Sequence, residues 1–337
     1  MTKSSIKNVT KTVLKILFAV ALIYWMIRKG ALDLNVFKEI ASVPLIAFCL
    51  GCVLLQVVIN NYRWLILLRA QNFESSVGRT LPLSFISLFF SFVMPGGVGG
   101  DVMKGYYLLQ DHPKQKFAAV ISIFMDRMVG FFVMVATTFF ALFFNWNDVS
   151  HSRELQSVAV AVTLLFTAFI VFFSLSLSRR ISQRVLDSWI GRLIFERMPG
   201  AAKLRRIYEN VHAYRNKPSA FFIAIALSVV NQLLIVAFIV AIANAMGVEG
   251  IPLMVYFFLV PVGIVVLALP ISPAGIGVGQ AAFYFLFSLY LGKSSQLGPT
   301  AVTAMQIINF AWGLVGAYFY LHRKRPDVPA DAVPEGL

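Results

Sequence analysis

The 337-residue chain has 59% hydrophobic residues, 13% charged residues and a mean hydropathy of +0.79. A soluble domain carries roughly 25% charge, so this composition excludes a soluble globular enzyme and implies a polytopic α-helical membrane protein. The formal net charge of +14 raises nucleic acid as a partner, but the basic residues sit between apolar stretches. Anionic headgroups and topogenic bias account for them, and no nucleic-acid partner is expected.

Lys3, Lys7, Lys11 and Lys15 lead into the apolar run 12–28. The run has the look of a signal peptide until Tyr24-Trp25-Met26-Ile27-Arg28, which is too bulky for a cleavage site, so it is read as an uncleaved first span. Further runs of about 20 residues predict spans at 43–61, 117–144, 155–178, 219–246 and 299–321. Cys49 and Cys52 have C-x-x-C spacing, yet inside an apolar run they read as packed thiols rather than a redox or zinc pair.

Two apolar regions are interrupted. The first, 81–110, contains Met94-Pro95-Gly96-Gly97-Val98-Gly99-Gly100-Asp101. The second, 251–291, contains Leu269-Pro270-Ile271-Ser272-Pro273-Ala274-Gly275-Ile276-Gly277-Val278-Gly279-Gln280. Broken backbone at membrane depth survives only when buried in protein or lining a cavity, so two breaks point to an internal polar site. The stretch Leu81 to Met94 is too short to cross comfortably, and the first region reads as a hairpin entering and leaving on one side. For the second, a re-entrant hairpin and two full crossings both fit.

Charge orients the chain. With a cytoplasmic N-terminus, the segments 1–11 with Lys15, 62–80, 101–116, 179–218 and 322–337 hold 23 of the 29 Lys and Arg residues, the bias of cytoplasmic loops. The expected fold is therefore an all-α polytopic integral membrane protein. It has six full spans, two broken hairpins and both termini in the cytoplasm. Each half then reads span, span, broken hairpin, span, with opposite starting sides. This gives an inverted-topology repeat of the kind secondary transporters use, with repeats 1–146 and 147–322 and a disordered tail, 323–337. Within 179–218, apolar and basic residues alternate at helical spacing, which predicts amphipathic helices on the cytoplasmic surface.

The loop from Pro95 to Asp101 frees the backbone N–H groups of Gly96, Gly97, Gly99, Gly100 and Asp101, and with Lys104 one turn on it could receive an anion. The alternative is a tight turn whose glycines only permit close packing, and the GK[ST] ending of a phosphate-cradling P-loop is missing. Asp126 and Arg127 lie about ten residues inside a span, where charges pair internally and line sites. Being adjacent on a helix, they point about 100° apart and need separate partners. Asp126 could meet Arg63 or a broken-helix amide, and Arg127 could meet Asp101 or a lipid phosphate. The second break offers Pro270, Ser272, Pro273, Gly275, Gly277, Gly279 and the neutral Gln280. Asn231, Gln232, Gln306 and Asn309 add polar groups, each alone able to serve as interhelical glue.

His112, His151, His212 and His322 are scattered without metal spacing, and no hydrolase or metalloprotease motif occurs. No catalytic residue, metal or cofactor is expected.

Arg63-Trp64, the Met94–Asp101 motif, Asp126-Arg127, Leu269–Pro273 and Gly275–Val278 together resemble the flippase-like family of lysylphosphatidylglycerol synthase transmembrane regions, over roughly residues 10–322. That family includes the membrane part of bacterial multiple peptide resistance factors and archaeal dolichol-phosphate glycosyltransferase-associated proteins. The resemblance implies movement of an anionic phospholipid or polyprenyl-phosphate-linked lipid between leaflets of a bacterial inner membrane. The chain departs from the family in having Lys104 where Arg is common, which loses bidentate phosphate geometry, and Gln280 where Glu is common, which removes an acid. Two other readings remain: a component presenting a lipid acceptor to a soluble glycosyl- or acyl-transfer enzyme, and a non-transporting structural subunit. A homo-oligomer is compatible with small residues such as Gly313 and Gly316.

Overall fold

The computed structural model describes residues 24, 27–28, 35, 40–94, 99–112, 115–177, 211–269 and 271–323. These form helices joined by turns, with no strand among the described residues. In chain order they are α1 (Val43–Ala70), α2 (Val77–Val93), α3 (Gly99–Asp111), α4 (Lys116–Phe144), the short α5 (Trp146–Ser150), α6 (Arg153–Leu177), α7 (Pro218–Ala245), α8 (Leu253–Leu267), α9 (Val278–Leu291) and α10 (Leu297–His322). Helices α1, α4, α6, α7 and α10, and the stretch Pro273–Leu291, are long and apolar enough to cross a membrane. The chain is a multi-pass α-helical membrane protein.

Several expected features lie outside the described residues: most of the span 12–28, the segment 179–210, the tail beyond Arg323, and the break residues Pro95, Gly96, Gly97, Val98 and Pro270. Of the first span, Tyr24, Ile27 and Arg28 are described, and each is helical.

Helix α1 differs most from its expected bounds, running to Ala70 instead of stopping at 61. A hydropathy window ends at Arg63, but this arginine is paired inside the protein, and Trp64, Leu65, Leu67 and Leu68 beyond it are at most 1% exposed. Arg63 is therefore part of the bundle and not of a cytoplasmic loop. Ser42 caps α1 by accepting from the Leu45 N–H at 3.4 Å, and Pro218 opens α7 where no amide partner is needed.

The interrupted regions consist of short helices. At 1.5 Å per residue, α2 and α3, with 17 and 13 residues, rise about 25 and 20 Å. Helices α8 and α9, with 15 and 14 residues, rise about 22 and 21 Å. All fall short of the roughly 30 Å hydrocarbon core. Ala274, Gly275 and Gly277 have φ of 49°, 69° and 82°, so the backbone before Val278 turns through left-handed conformations and only α9 itself is regular helix. Across the first break, a Cβ on Gly100 would overlap the Ser87 carbonyl oxygen, so this glycine sets how closely α3 approaches α2.

Packing between the halves is reciprocal. Helix α2 lies along α10, α8 lies along α4, and α1 crosses α7. A Cβ on Gly316 of α10 would overlap the Phe85 carbonyl of α2. At one face, Lys217 Nζ donates to Arg69 O at 3.1 Å and Asn72 Oδ1 at 2.9 Å, joining the start of α7 to the end of α1. Arg323 pairs with Asp111 at 3.0 Å on the same basic face, at the ends of α10 and α3. At the opposite face, Asn145 Nδ2 donates to Met254 O at 3.1 Å, joining α4 to α8.

The apolar core is uneven. Toward the opposite face one large cluster, centred on Phe238, Phe258, Phe283 and Phe287, unites α7, α8 and α9 with α1 and α10. Toward the basic face the core divides into two smaller clusters, around Met125 and Tyr214 and around Trp64 and Ile86.

Candidate functional site

Polar residues of six helices converge on a cavity of about 250 Å³ in the basic-face half. Helix α1 contributes Gln56, Asn60 and Arg63, α2 contributes Ser84, Ser87 and Ser91, and α7 contributes Ser228, Asn231 and Gln232. The first two sets repeat at three- or four-residue intervals, and Asn231 and Gln232 stand three and four residues beyond Ser228, so each set lies on one helix face. Asp101 and Lys104 of α3, Asp126, Arg127 and Gly130 of α4, and Asn309 of α10 complete the polar part of the lining.

Two bidentate ion pairs organise the charges. Arg63 donates through Nε to Asp126 Oδ1 at 2.7 Å and through Nη2 to Oδ2 at 3.2 Å, while its Nη1 reaches Ser228 Oγ at 3.0 Å. Both side chains are buried, at 8% and 10% exposure. Gly130 makes room for this arrangement, since a Cβ there would stand 3.3 Å from Arg63 Nη1. Arg127 donates through Nε to Asp101 Oδ2 at 2.8 Å and through Nη2 to Oδ1 at 3.0 Å. Asp101 sits in the first turn of α3, where the helix dipole favours a carboxylate. The two acids of the cavity are thus each held by one arginine, and the adjacent Asp126 and Arg127 do have separate partners.

Lys104 is different. It is 9% exposed, its ammonium stands 4.7 Å above the Trp64 ring, and it has no hydrogen bond or ion pair among the described residues. A cation–π contact stabilises it without neutralising it. Set against two acids, Arg63, Arg127 and Lys104 leave the cavity with one surplus positive charge. Deeper in, Gln232 is 1% exposed and neither of its amide atoms, nor the Gln56 Nε2, finds a partner among the described residues. Between them Asn60 Nδ2 donates to Asn231 Oδ1 at 3.3 Å.

The cavity has an exposed edge. Arg127 is 46% exposed, and Val102 and Tyr106 of α3 and Val120 and Phe124 of α4 expose apolar surface around it.

Of the residues singled out in the sequence, Arg63, Asp101, Lys104, Asp126, Arg127, Asn231, Gln232 and Asn309 come together here. Gly99 and Gly100 pack the two arms of the first break without lining the cavity. Ser272, Pro273, Gly275, Gly277, Gly279 and Gln280 are not brought to it. Gln280 Oε1 accepts from the Gly277 N–H at 2.8 Å, and its Nε2 donates to Gln306 at 2.7 Å and Thr303 at 3.1 Å. Gln306 in turn donates to the Ala274 carbonyl at 3.1 Å. This network ties the second break to α10 and occupies the amide that a ligand would need. Sequence reasoning missed Gln56, Asn60, Ser228 and the three serines of α2, although their helical spacing marks them.

The chain is thus a multi-pass membrane protein whose spanning and interrupted helices enclose an internal polar cavity with buried charges. The comparisons narrow the class. The chain matches the family described as lysylphosphatidylglycerol synthase TM region over residues 12–316 and belongs to that family. It is 24% identical over 338 residues to a UPF0104 membrane protein of the archaeon Methanothermobacter thermautotrophicus, across 94% of this chain and 95% of that one. No solved structure matches the chain.

Proposed function

We propose that this protein is a lipid translocase, a transporter rather than an enzyme, which carries an anionic lipid headgroup through the polar cavity while the acyl chains stay in the bilayer. The observation that carries the reading is Lys104: a buried cation without an anionic partner, in a cavity whose other four charges are matched. A buried uncompensated charge is costly, and a phosphate entering beside it would remove that cost. The size of the cavity supports the division of the lipid, because about 250 Å³ lies below the roughly 300–1,000 Å³ of pockets that engulf whole ligands. The exposed Arg127 and its apolar frame offer an entry where headgroup and chains can part company.

The same reading takes the two halves as an inverted repeat with both termini cytoplasmic in a cell's cytoplasmic membrane. Three observations support this: the reciprocal packing, the short arms of both breaks, and the gathering of Lys and Arg at one face. The family's description as a lysylphosphatidylglycerol synthase transmembrane region supports a lipid as the substrate.

The test is reconstitution of the purified protein into liposomes bearing acyl-labelled anionic phospholipid, with the inner-leaflet probe read by its exposure to an impermeant quencher. Wild type should expose the probe faster than protein-free vesicles, and Lys104→Gln should remove most of the gain. Rates equal to those of empty vesicles, with and without an imposed proton or sodium gradient, would sink the translocase reading.

A further inference from the structure

We propose that the headgroup accepted by this cavity is a monoanionic phosphodiester bearing an uncharged, hydroxyl-rich group, in preference to zwitterionic amine headgroups, phosphomonoesters and diphosphates. This rests on the translocase reading for the identity of the ligand as a lipid, and on the lining for the rest.

Charge sets the phosphate class. The Arg63–Asp126 and Arg127–Asp101 pairs cancel, which leaves Lys104 alone. One phosphodiester charge makes the filled cavity neutral, whereas a phosphomonoester or diphosphate would leave net negative charge in a low-dielectric site.

Hydrogen bonding sets the rest of the headgroup. An ammonium is neutralised by a carboxylate with unspent charge and a quaternary amine is held by aromatic faces. Both oxygens of Asp126 and both of Asp101 already accept from arginine, the Trp64 ring already carries Lys104, and Phe131 alone of the lining residues is aromatic. No cage for a quaternary amine is formed. What the deep end of the cavity does offer is amide. Gln232 presents a donor and an acceptor with no partner, and Gln56 presents a donor. Groups that donate and accept at once, as hydroxyls do, satisfy such amides, and a buried amide left unpaired is penalised. With the phosphate at Lys104, a hydroxylated headgroup extends toward these glutamines.

Glycerophospholipids with a polyol headgroup and polyprenyl phosphodiesters of a neutral sugar share this chemistry, and the test separates them. Full-length protein in detergent would be heated with short-chain phosphatidylglycerol, phosphatidylethanolamine, phosphatidylcholine, phosphatidic acid, or a short polyprenyl phosphohexose. One or both hydroxylated phosphodiesters should protect at concentrations at least about tenfold lower than the other three, the discrimination that unpaired buried amides supply. Which of the two protects identifies the tail. Gln232→Leu, or Gln56→Leu if the first does not fold, should erase the advantage over phosphatidylethanolamine while Lys104 continues to bind the phosphate. Equal protection by all five, or none by any, overturns the proposal. The outcome is separate from transport: selective protection without lipid movement would remove the translocase reading and leave the headgroup assignment standing. Movement without selectivity would do the reverse.

Discussion

Asp126→Asn tests whether the charges of the cavity are held as the geometry implies. The substitution removes the carboxylate that takes both forks of Arg63 and leaves a guanidinium 8% exposed beside Ser228. Two charge-assisted hydrogen bonds at about 1.5–3 kcal/mol each set an upper bound near 3–6 kcal/mol, and breaking buried pairs generally costs about 3–5 kcal/mol. Asparagine keeps one acceptor oxygen, so the expected loss is about 3 kcal/mol. The assay is equilibrium unfolding in mixed detergent–SDS micelles. Arg63→Met/Asp126→Leu should recover to within about 1 kcal/mol of wild type, because replacing a whole buried pair by apolar groups is near neutral. It should also retain lipid movement, since the pair is neutral overall and Lys104 remains. A loss below about 1 kcal/mol for Asp126→Asn, or a double variant no more stable than the single one, would refute the pairing.

Three further outcomes follow from the packing. Gly316→Ala pushes a methyl group into the Phe85 backbone carbonyl and should cost about 1–3 kcal/mol in the same unfolding assay, whereas Gly51→Ala, with open space around it, should cost nothing measurable. Gln280→Leu strands the Gly277 N–H and a Gln306 oxygen; at about 1–3 kcal/mol for each unsatisfied group, it should destabilise while leaving headgroup binding per folded molecule unchanged, and a selective loss of binding would show that Gln280 belongs to the site. Cys49 and Cys52 are 2% and 5% exposed within the large core, so a membrane-permeant maleimide should modify them only as fast as the bundle opens; labelling as rapid as in denatured protein would show that this half is not tightly packed.

The fold was largely legible because membrane depth makes hydropathy and backbone breaks strong signals. Uninterrupted runs became α4, α6, α7 and α10 with ends shifted by two residues or fewer. Left-handed φ values at Ala274, Gly275 and Gly277 are the physical form of the second glycine-rich break. The cavity was legible where its lining is charged or carries an amide on α7 and α10, as at Asn231, Gln232 and Asn309. Arg63 was misplaced in a loop because a hydropathy window cannot distinguish a charge that leaves the membrane from one neutralised inside it. Ser84, Ser87 and Ser91 were invisible to the same measure, since single hydroxyls barely lower the average of an apolar helix. Gln280 shows the opposite limit: an amide inside a broken helix has the composition of a ligand group, and geometry places it away from the cavity, capping its own backbone.

The cavity and the core beyond it also define where the obstacle to a headgroup lies. Gln56 and Gln232 each stand one helical turn from dry packing, where Val53 and Val236 are 1% and 2% exposed. Above them the aromatic cluster of α7, α8 and α9 presents packed apolar side chains, and a charge at such a level costs about 2.5–3.5 kcal/mol even by the most lenient scale. A phosphate seated at Lys104 therefore cannot continue through this arrangement. On the translocase reading the opposite half has to open while the basic half closes. The contacts that would exchange are the reciprocal ones, α2 along α10 and α8 along α4. The side chains at the two breaks are unequal, because α3 of the first is joined to α4 by the Asp101–Arg127 ion pair and α9 of the second to α10 by the neutral Gln280–Gln306 amide contact. On the translocase reading the reciprocal packing lets the halves rock against each other, and the unequal side chains place the anion site at the first break.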